Sequence, residues 1–335
     1  MSVNKDVEII KPPVLFSKTQ ELIKKIENYT GGKLICYWNS INGSICQNDV
    51  QAFYEIAKDL KTEKVIYFFV KSHGGDGKAS LRIVNLIRQH TKKLVSLVPL
   101  ECASAATMLV LGSDKIEMGP LAYLTAVDTS LTHDLSPIDK NNSLVSVSQD
   151  ELSRVINLWN KEEKPNDSNP YNSLYNYVHP LVVGAVDRAS SLSIKLCKEI
   201  LSYHQKDEKK AESISNHLNA SYPSHSYPIT FNEVKRIGLN VSEMDKKLND
   251  LLLELNEVYS EMGQKAYTDY DEVNGHDNEI LNILEGNNVQ IHYQVNKDWH
   301  YRAEERRWIT MNDKSAWIKT SFADGKIVSK SFHIR

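Results

Sequence analysis

Val65-Ile-Tyr-Phe-Phe-Val-Lys-Ser-His-Gly-Gly-Asp-Gly77 is the stretch on which the fold turns. Val65 to Val70 is almost wholly apolar and β-prone, as a strand buried on both faces must be. Lys71 and Ser72 lead into adjacent glycines, and beyond them Leu81, Ile83, Val84, Leu86 and Ile87 recur at helical spacing. The passage therefore reads strand, tight turn, helix. Upstream, Ser17 to Tyr29 carries Leu22, Ile23 and Ile26 on one helical stripe and is stopped by Gly31-Gly32. Lys33 to Trp38 is a short β-rich run, and Gln47 to Leu60 is a second amphipathic helix. Downstream, Leu94 to Pro99 repeats the buried-strand pattern, Ala103 to Gly112 reads as a helix, and Lys115 to Met118 is a strand closed by Gly119-Pro120. Strand and helix alternate from Lys33 to Met118, which predicts an α/β protein with βαβ units and a largely parallel sheet.

The 335 residues suffice for one large α/β domain with a small appendage. Hydrophobic residues make up 41% and charged residues 25%, with a formal net charge of -3, so neither nucleic acid nor an anionic membrane is the expected partner. The opening MSVNKDVEIIKPPVLF lacks the apolar stretch of a secretory signal, and no run reaches the roughly 20 apolar residues of a membrane span. Cys36, Cys46, Cys102 and Cys197 fit neither a disulfide framework nor a zinc site. A cytoplasmic protein with reduced thiols, without metal or cofactor, is the expectation.

After Asp128 the pattern loosens. Asp134 to Ser143 is turn-rich, Ser148 to Trp159 reads as a capped helix, and Lys161 to Pro170 as a loop. Leu181 to His204 is a long helix, and the charged run Lys206 to Lys210 a solvated helix end. Met244 to Met262 places Leu248, Leu251, Leu252, Leu255, Val258 and Met262 on one face, which suits either the chain's own core or a neighbouring subunit. Thr268 to Glu279 is acidic and turn-rich and reads as a linker. Beyond it the hydrophobic period switches to two, and Asp324-Gly325 is a hairpin signal. The expected division is therefore 1–268, an α/β domain, and 277–335, a small antiparallel β module folding separately and serving recruitment or assembly. Trp299, Trp308 and Trp317 would be its core or, with His300, Arg302, Arg306 and Arg307, a contact patch.

Two segments carry the chemistry. The Gly74-Gly75 turn lets backbone N–H groups approach a substrate and hold a developing oxyanion. In Leu94 to Pro120, Ser104 sits at the start of a helix among Ala103, Ala105 and Ala106, near unpaired N–H groups and the positive end of the helix dipole. A serine there is ordinarily only a cap; the pairing of the two segments, one helix and one strand apart, gives it more weight.

That pairing resembles the ClpP/crotonase superfamily. Lys71-Ser-His-Gly-Gly75 is similar to the Ser-Pro-Gly-Gly turn of the ClpP and SppA families. Ala103-Ser-Ala-Ala-Thr107 resembles the nucleophile segment of an SppA-like branch, the serine dehydrogenase proteinase family. Ser113 to Pro120, Leu124 to Asp128, Tyr222 to Ile229 and Ile237 to Val241 resemble its further segments, so the likeness runs from Lys33 to Val241. It implies a spiral of ββα units, a homo-oligomer, and a serine peptidase acting on peptides or unfolded protein segments. Ser104 would be the nucleophile, and the N–H groups of Gly75 (or Gly74) and Ala105 the oxyanion hole. Departures stand beside it: His73 replaces the turn's proline, Ala106 a glycine, and Val127-Asp128 lies where ClpP carries its histidine. Lys140, as in the lysine-dependent SppA relatives, His133 and Lys78 are the candidate bases. Asp76 reads as a helix cap, His225 as a packing or capping residue more readily than a catalytic one, and Asp128 as a turn residue bonded to backbone more readily than as a group that orients a base. A scaffold of the same fold that has lost its base, and a crotonase-like hydrolase of small acyl substrates, are the alternatives.

Overall fold

The computed structural model describes residues 7–58, 60, 62–140, 142–161, 169–323 and 325–334. Most of the expected loop at 161–170, and Asp324 of the expected hairpin, lie outside them. The chain runs α1 (Phe16–Thr30), β1 (Lys33–Asn39), α2 (Gln47–Ala57), β2 (Ile66–Lys71), α3 (Gly77–Arg88), β3 (Leu94–Val98), β4 (Glu101–Cys102), α4 (Ala105–Leu111), β5 (Lys115–Met118) and β6 (Tyr123–Leu124). There follow β7 (Ser130–Leu131), β8 (Val147–Ser148), α5 (Gln149–Lys161), α6 (Pro170–Leu174), α7 (Pro180–Leu201), α8 (Glu208–Ala220), α9 (Phe231–Arg236), β9 (Val241–Glu243) and α10 (Lys246–Met262). The remainder is strand: β10 (Ala266–Asp271), β11 (Asn274–Gly286), β12 (Val289–Arg302), β13 (Arg307–Asp313), β14 (Ala316–Ala323) and β15 (Lys326–Ser331).

The result is a mixed α/β architecture around one large sheet of order β15-β14-β12-β11-β1-β2-β3-β5-β9, with β10 on β11 and β13 on β12. From β1 to β9 every pairing is parallel. The apolar strands explain this: Phe68 and Phe69 of β2 are both fully buried and point to opposite faces, so the sheet needs cover on each. On one face Phe68, Ile35 and Val98 pack with Phe53 of α2, Ile83 of α3, Leu109 of α4 and Ile200 of α7. On the other, Phe69, Leu34 and Leu97 pack with Ile23 of α1 and Leu252, Leu255 and Tyr259 of α10. The apolar stripe of Met244 to Met262 is thus spent on the chain's own core, which removes the reason to place it at a subunit contact.

The linker expected at 268–279 is instead the β10–β11 hairpin. β11 pairs antiparallel with β1, from Cys36 opposite Glu285 to Asn39 opposite Asn282, so strands of 277–335 continue the sheet of 1–268 with no spacer between them. Turn-forming Asp271 to Gly275 and the acidic residues around them mark a tight strand reversal, for which composition alone cannot be told from a linker. The tryptophans divide: Trp317 is buried beside Tyr293, whereas Trp308 is exposed next to Tyr301.

Candidate active site

β2 ends at Lys71, and Ser72 then makes a parallel bridge to Cys102 of β4. This bridge brings the glycine turn against the start of α4. Gly74 has φ 109° and Gly75 φ 144°, values that favour glycine. A Cβ on Gly74 would lie 2.8 Å from both Ala103 O and Ser104 Cβ, and one on Gly75 would run into Ile45 O. Glycine is therefore required by space as well as by φ, because the turn is pressed against the Ser104 backbone.

Ser104 is the residue before α4, with φ 54° and ψ -120°. A left-handed φ in a non-glycine residue costs about 1–3 kcal/mol and persists only where neighbours enforce it. Here Thr125 Oγ1 accepts from Ser104 N at 2.9 Å, and Thr107 Oγ1 donates to Cys102 O and accepts from Thr125 N. The Ser104 side chain makes no cap hydrogen bond, so the capping role that accounts for most serines at this position is not the one it fills. Among the described residues, neither Gly75 N–H nor Ala105 N–H has an acceptor. Ala105 is the first residue of α4, and the first turn of a helix leaves such donors free.

Ser104, Gly75, Ala105 and Lys78 line a cleft of about 370 Å³ that also contains Asp128 and His225. Met108, Val127 and Leu196 supply apolar lining. His225 Nδ1 lies 2.8 Å from Asp128 Oδ1. Two anchors set this pair. Leu124 and Ile229 exchange backbone hydrogen bonds, docking the loop that carries His225 against the segment that carries Asp128. Val127 is held by Leu218 O through its N–H and by Ser193 Oγ through its carbonyl. The hydrogen bond to Asp128 raises the His225 pKa above its ordinary 6.5, against the opposing effect of partial burial. With Nδ1–H donated to the carboxylate, Nε2 is the ring atom left to accept a proton. Among the described residues no hydrogen bond joins Ser104 Oγ to His225.

The structure thus brings together Ser104, Gly74, Gly75, Ala105 and Lys78. It does not bring Lys140 to them: Lys140 is exposed on a turn and does not line the cleft. His133 is also away from the cleft, its Nδ1 accepting from Leu135 N at 3.1 Å. His73 lies 3.7 Å from Glu101, outside the cleft, and Asp76 caps α3 as expected. His225, read from sequence chiefly as a packing or capping residue, and Asp128, read chiefly as a turn residue, meet in this cleft. They are 97 positions apart, and only their places in two separate motif-like segments hinted at a meeting. Among the described residues no cluster of three or more His, Cys, Asp or Glu is arranged to hold a metal.

No family model matches the chain. An uncharacterised protein of Methanocaldococcus jannaschii is 25% identical over 199 residues, which span 59% of this chain and 60% of that protein. Among solved structures, a variant of a 1510-N membrane-bound stomatin-specific protease is similar, with TM-score 0.39 and 18% identity, covering 70% of this chain and 87% of that one. A second variant, in complex with a substrate peptide, has TM-score 0.38 and 19% identity, covering 70% and 83%. Among the described residues no helix is long and apolar enough to cross a membrane.

Proposed function

We propose that the chain is a serine-dependent acyl hydrolase, and that its substrate is a peptide or an unfolded protein segment, on a frame of the ClpP/crotonase type. The observation that carries this is the convergence, in one cleft, of a strained serine and a carboxylate-bonded histidine. Ser104 Oγ would attack the carbonyl, with His225 Nε2 taking its proton and later delivering it to the leaving amine. Asp128 would fix the tautomer and stabilise the imidazolium. Gly75 N–H and Ala105 N–H would receive the oxyanion, and Gly74 would allow the turn to sit close enough to do so. No hydrogen bond joins Ser104 Oγ to His225 among the described residues, so catalysis by this pair requires one to form in the substrate complex. A homo-oligomer and a cytoplasmic setting remain parts of the proposal.

The second reading, a scaffold of this fold without catalysis, draws on that same absence. Steady-state hydrolysis of short peptide esters separates the two. We expect turnover that Ser104→Ala abolishes and that His225→Ala lowers by about 100- to 10,000-fold. Turnover that survives His225→Ala but is lost in Lys140→Ala or Lys78→Ala would move the base elsewhere. No turnover with any ester would leave the scaffold.

A further inference from the structure

The Gly74–Gly75 turn is not held by β2 alone. Ile45, in the loop between β1 and α2, brackets it: Ile45 N donates to Gly74 O at 2.8 Å, and Asp76 N donates to Ile45 O at 2.8 Å. These two bonds fix the peptide planes on both sides of Gly75 and so aim its N–H. The loop 40–46 is in turn cradled by β11. Ser40 N donates to Leu281 O at 2.8 Å, and Asn42 Nδ2 donates to the Glu279 carboxylate at 3.1 Å. Asn282 Nδ2 donates to Ser44 O at 2.9 Å and to Asp49 Oδ1 at 2.9 Å, while the other Asp49 oxygen accepts from Cys46 N at 2.6 Å. Asn282 and Asp49 are buried, so a lost bond there is not replaced freely by water.

β11 makes these contacts because it is irregular at this point. Its register with β12 shifts between Ile280 and Asn282, leaving Leu281 without a partner on β12. A bulge of this kind turns backbone and side-chain groups away from the ladder, and bulges are frequent beside active sites.

We propose that Asn282, presented by the β11 bulge, is a positioning residue for the oxyanion turn, acting through the loop 40–46 and Ile45 on the Gly75 N–H. The strands expected to be a separate recruitment module are then part of the catalytic frame. The inference rests on the serine-hydrolase reading for its kinetic consequence, but not for its structural one.

Asn282→Ala in the full chain tests it with two readouts. The kinetic one is a split: kcat on a peptide ester falls about 10- to 100-fold with KM nearly unchanged, because misaiming one donor acts on the transition state. The structural one is amide hydrogen exchange, which rises at Ile45 and Asp76 while the β2–β3 and β3–β5 amides keep their protection. A folded variant in which either readout stays at the wild-type level overturns the proposal. Should Asn282→Ala fail to fold, Glu279→Gln, which keeps the side-chain shape and one acceptor, must show the same exchange signature in milder form. If the wild type shows no Ser104-dependent turnover, the hydrolase reading fails, and exchange at Ile45 and Asp76 alone decides the positioning role.

Discussion

The parallel strands β1, β2, β3, β5 and β9 and the antiparallel strands β10 to β15 share one sheet but are built on different terms. In the parallel half β1, β2 and β3 are short, mostly buried runs with helices packed on both faces, while β5 and β9 toward the edge are half-polar. In the antiparallel half strands are longer and half-polar, and the exposed Val328 and Ile327 of β15 mark an edge open to water. The two halves meet at β1 and β11, and that seam carries buried acids. Glu285 accepts from Thr19 Oγ1, Gln20 Nε2, Gln290 Nε2 and Tyr259 OH, drawn from α1, α10 and β12. Asp49 accepts from Tyr37 OH, Cys46 N and Asn282 Nδ2. Asp49, bonded to Tyr37 of β1 and Asn282 of β11, links the two strands through one buried group. A site formed at the C-terminal ends of parallel strands is thereby tied to β11, which begins at Asn274, 170 residues after Ser104.

The largest expected effect is the loss of the antiparallel half. Deleting 277–335 exposes the β1 edge and strips Glu285 and Asn282 from the seam. We expect no cooperative thermal transition and no activity from the remainder. A truncated chain that melts cooperatively near the wild-type temperature would restore the picture of two independent units.

Next in size is an effect on the parallel half alone. Asp128→Asn replaces the anionic acceptor that orients His225 with a neutral amide and should lower kcat/KM by about 100-fold or more, with unchanged melting. Because the folded His225 pKa lies above 6.5, the wild-type kcat/KM should rise with pH along a limb centred above that value. In Asp128→Asn the limb should move to lower pH. A limb that stays in place would separate Asp128 from the base.

The seam predicts a pH dependence of stability. Burial raises Glu285 from 4.5 to about 7 and Asp49 from 3.8 to about 6, even with their donors in place. For an acid whose pKa is higher in the folded state, the contribution is complete below the unfolded pKa and is lost as pH climbs through the folded one. Stability should therefore decline from about pH 4 to pH 7, with Glu285 accounting for on the order of 3 kcal/mol. Glu285→Gln, whatever its starting stability, should flatten that slope in denaturant titrations. An unaltered slope would place the titration elsewhere.

The smallest effect belongs to the rim of the antiparallel half. Trp308 is 46% exposed on β13, so Trp308→Ala should change stability by no more than about 0.5 kcal/mol and leave activity intact. A larger loss would show that this hairpin is buried against something, which would revive its role in assembly.

How far the sequence foretells all this follows the same division. Strands β1, β2, β3 and β5 and the helices between them fall close to their expected residues, because a buried strand and an amphipathic helix each announce themselves locally, whereas the short, polar β9 is not expected from the sequence. The glycine turn and Ser104 were legible too, since both depend on neighbours in sequence. Their partners were not. A period of two in Val289 to Val295 specifies a strand without naming the strand beside it, so β11 reads as well as the start of a separate unit as it does as a neighbour of β1. Glu285 inside the run Ile280 to Gly286 was the clue: a carboxylate in a stretch otherwise buried requires several donors, hence several elements around it. His225 was hidden for the same reason, its meaning resting on Asp128 far away in sequence.

The central claim is that Ser104 is activated by His225. It is tested most directly by reacting the intact protein with a fluorophosphonate and measuring the mass of wild type, Ser104→Ala and His225→Ala under identical conditions. The account predicts one adduct on wild type, located on the peptide containing Ser104, none on Ser104→Ala, and labelling slowed at least 100-fold in His225→Ala. Labelling of His225→Ala at the wild-type rate, or a wild type that takes up no probe while remaining folded, would contradict it.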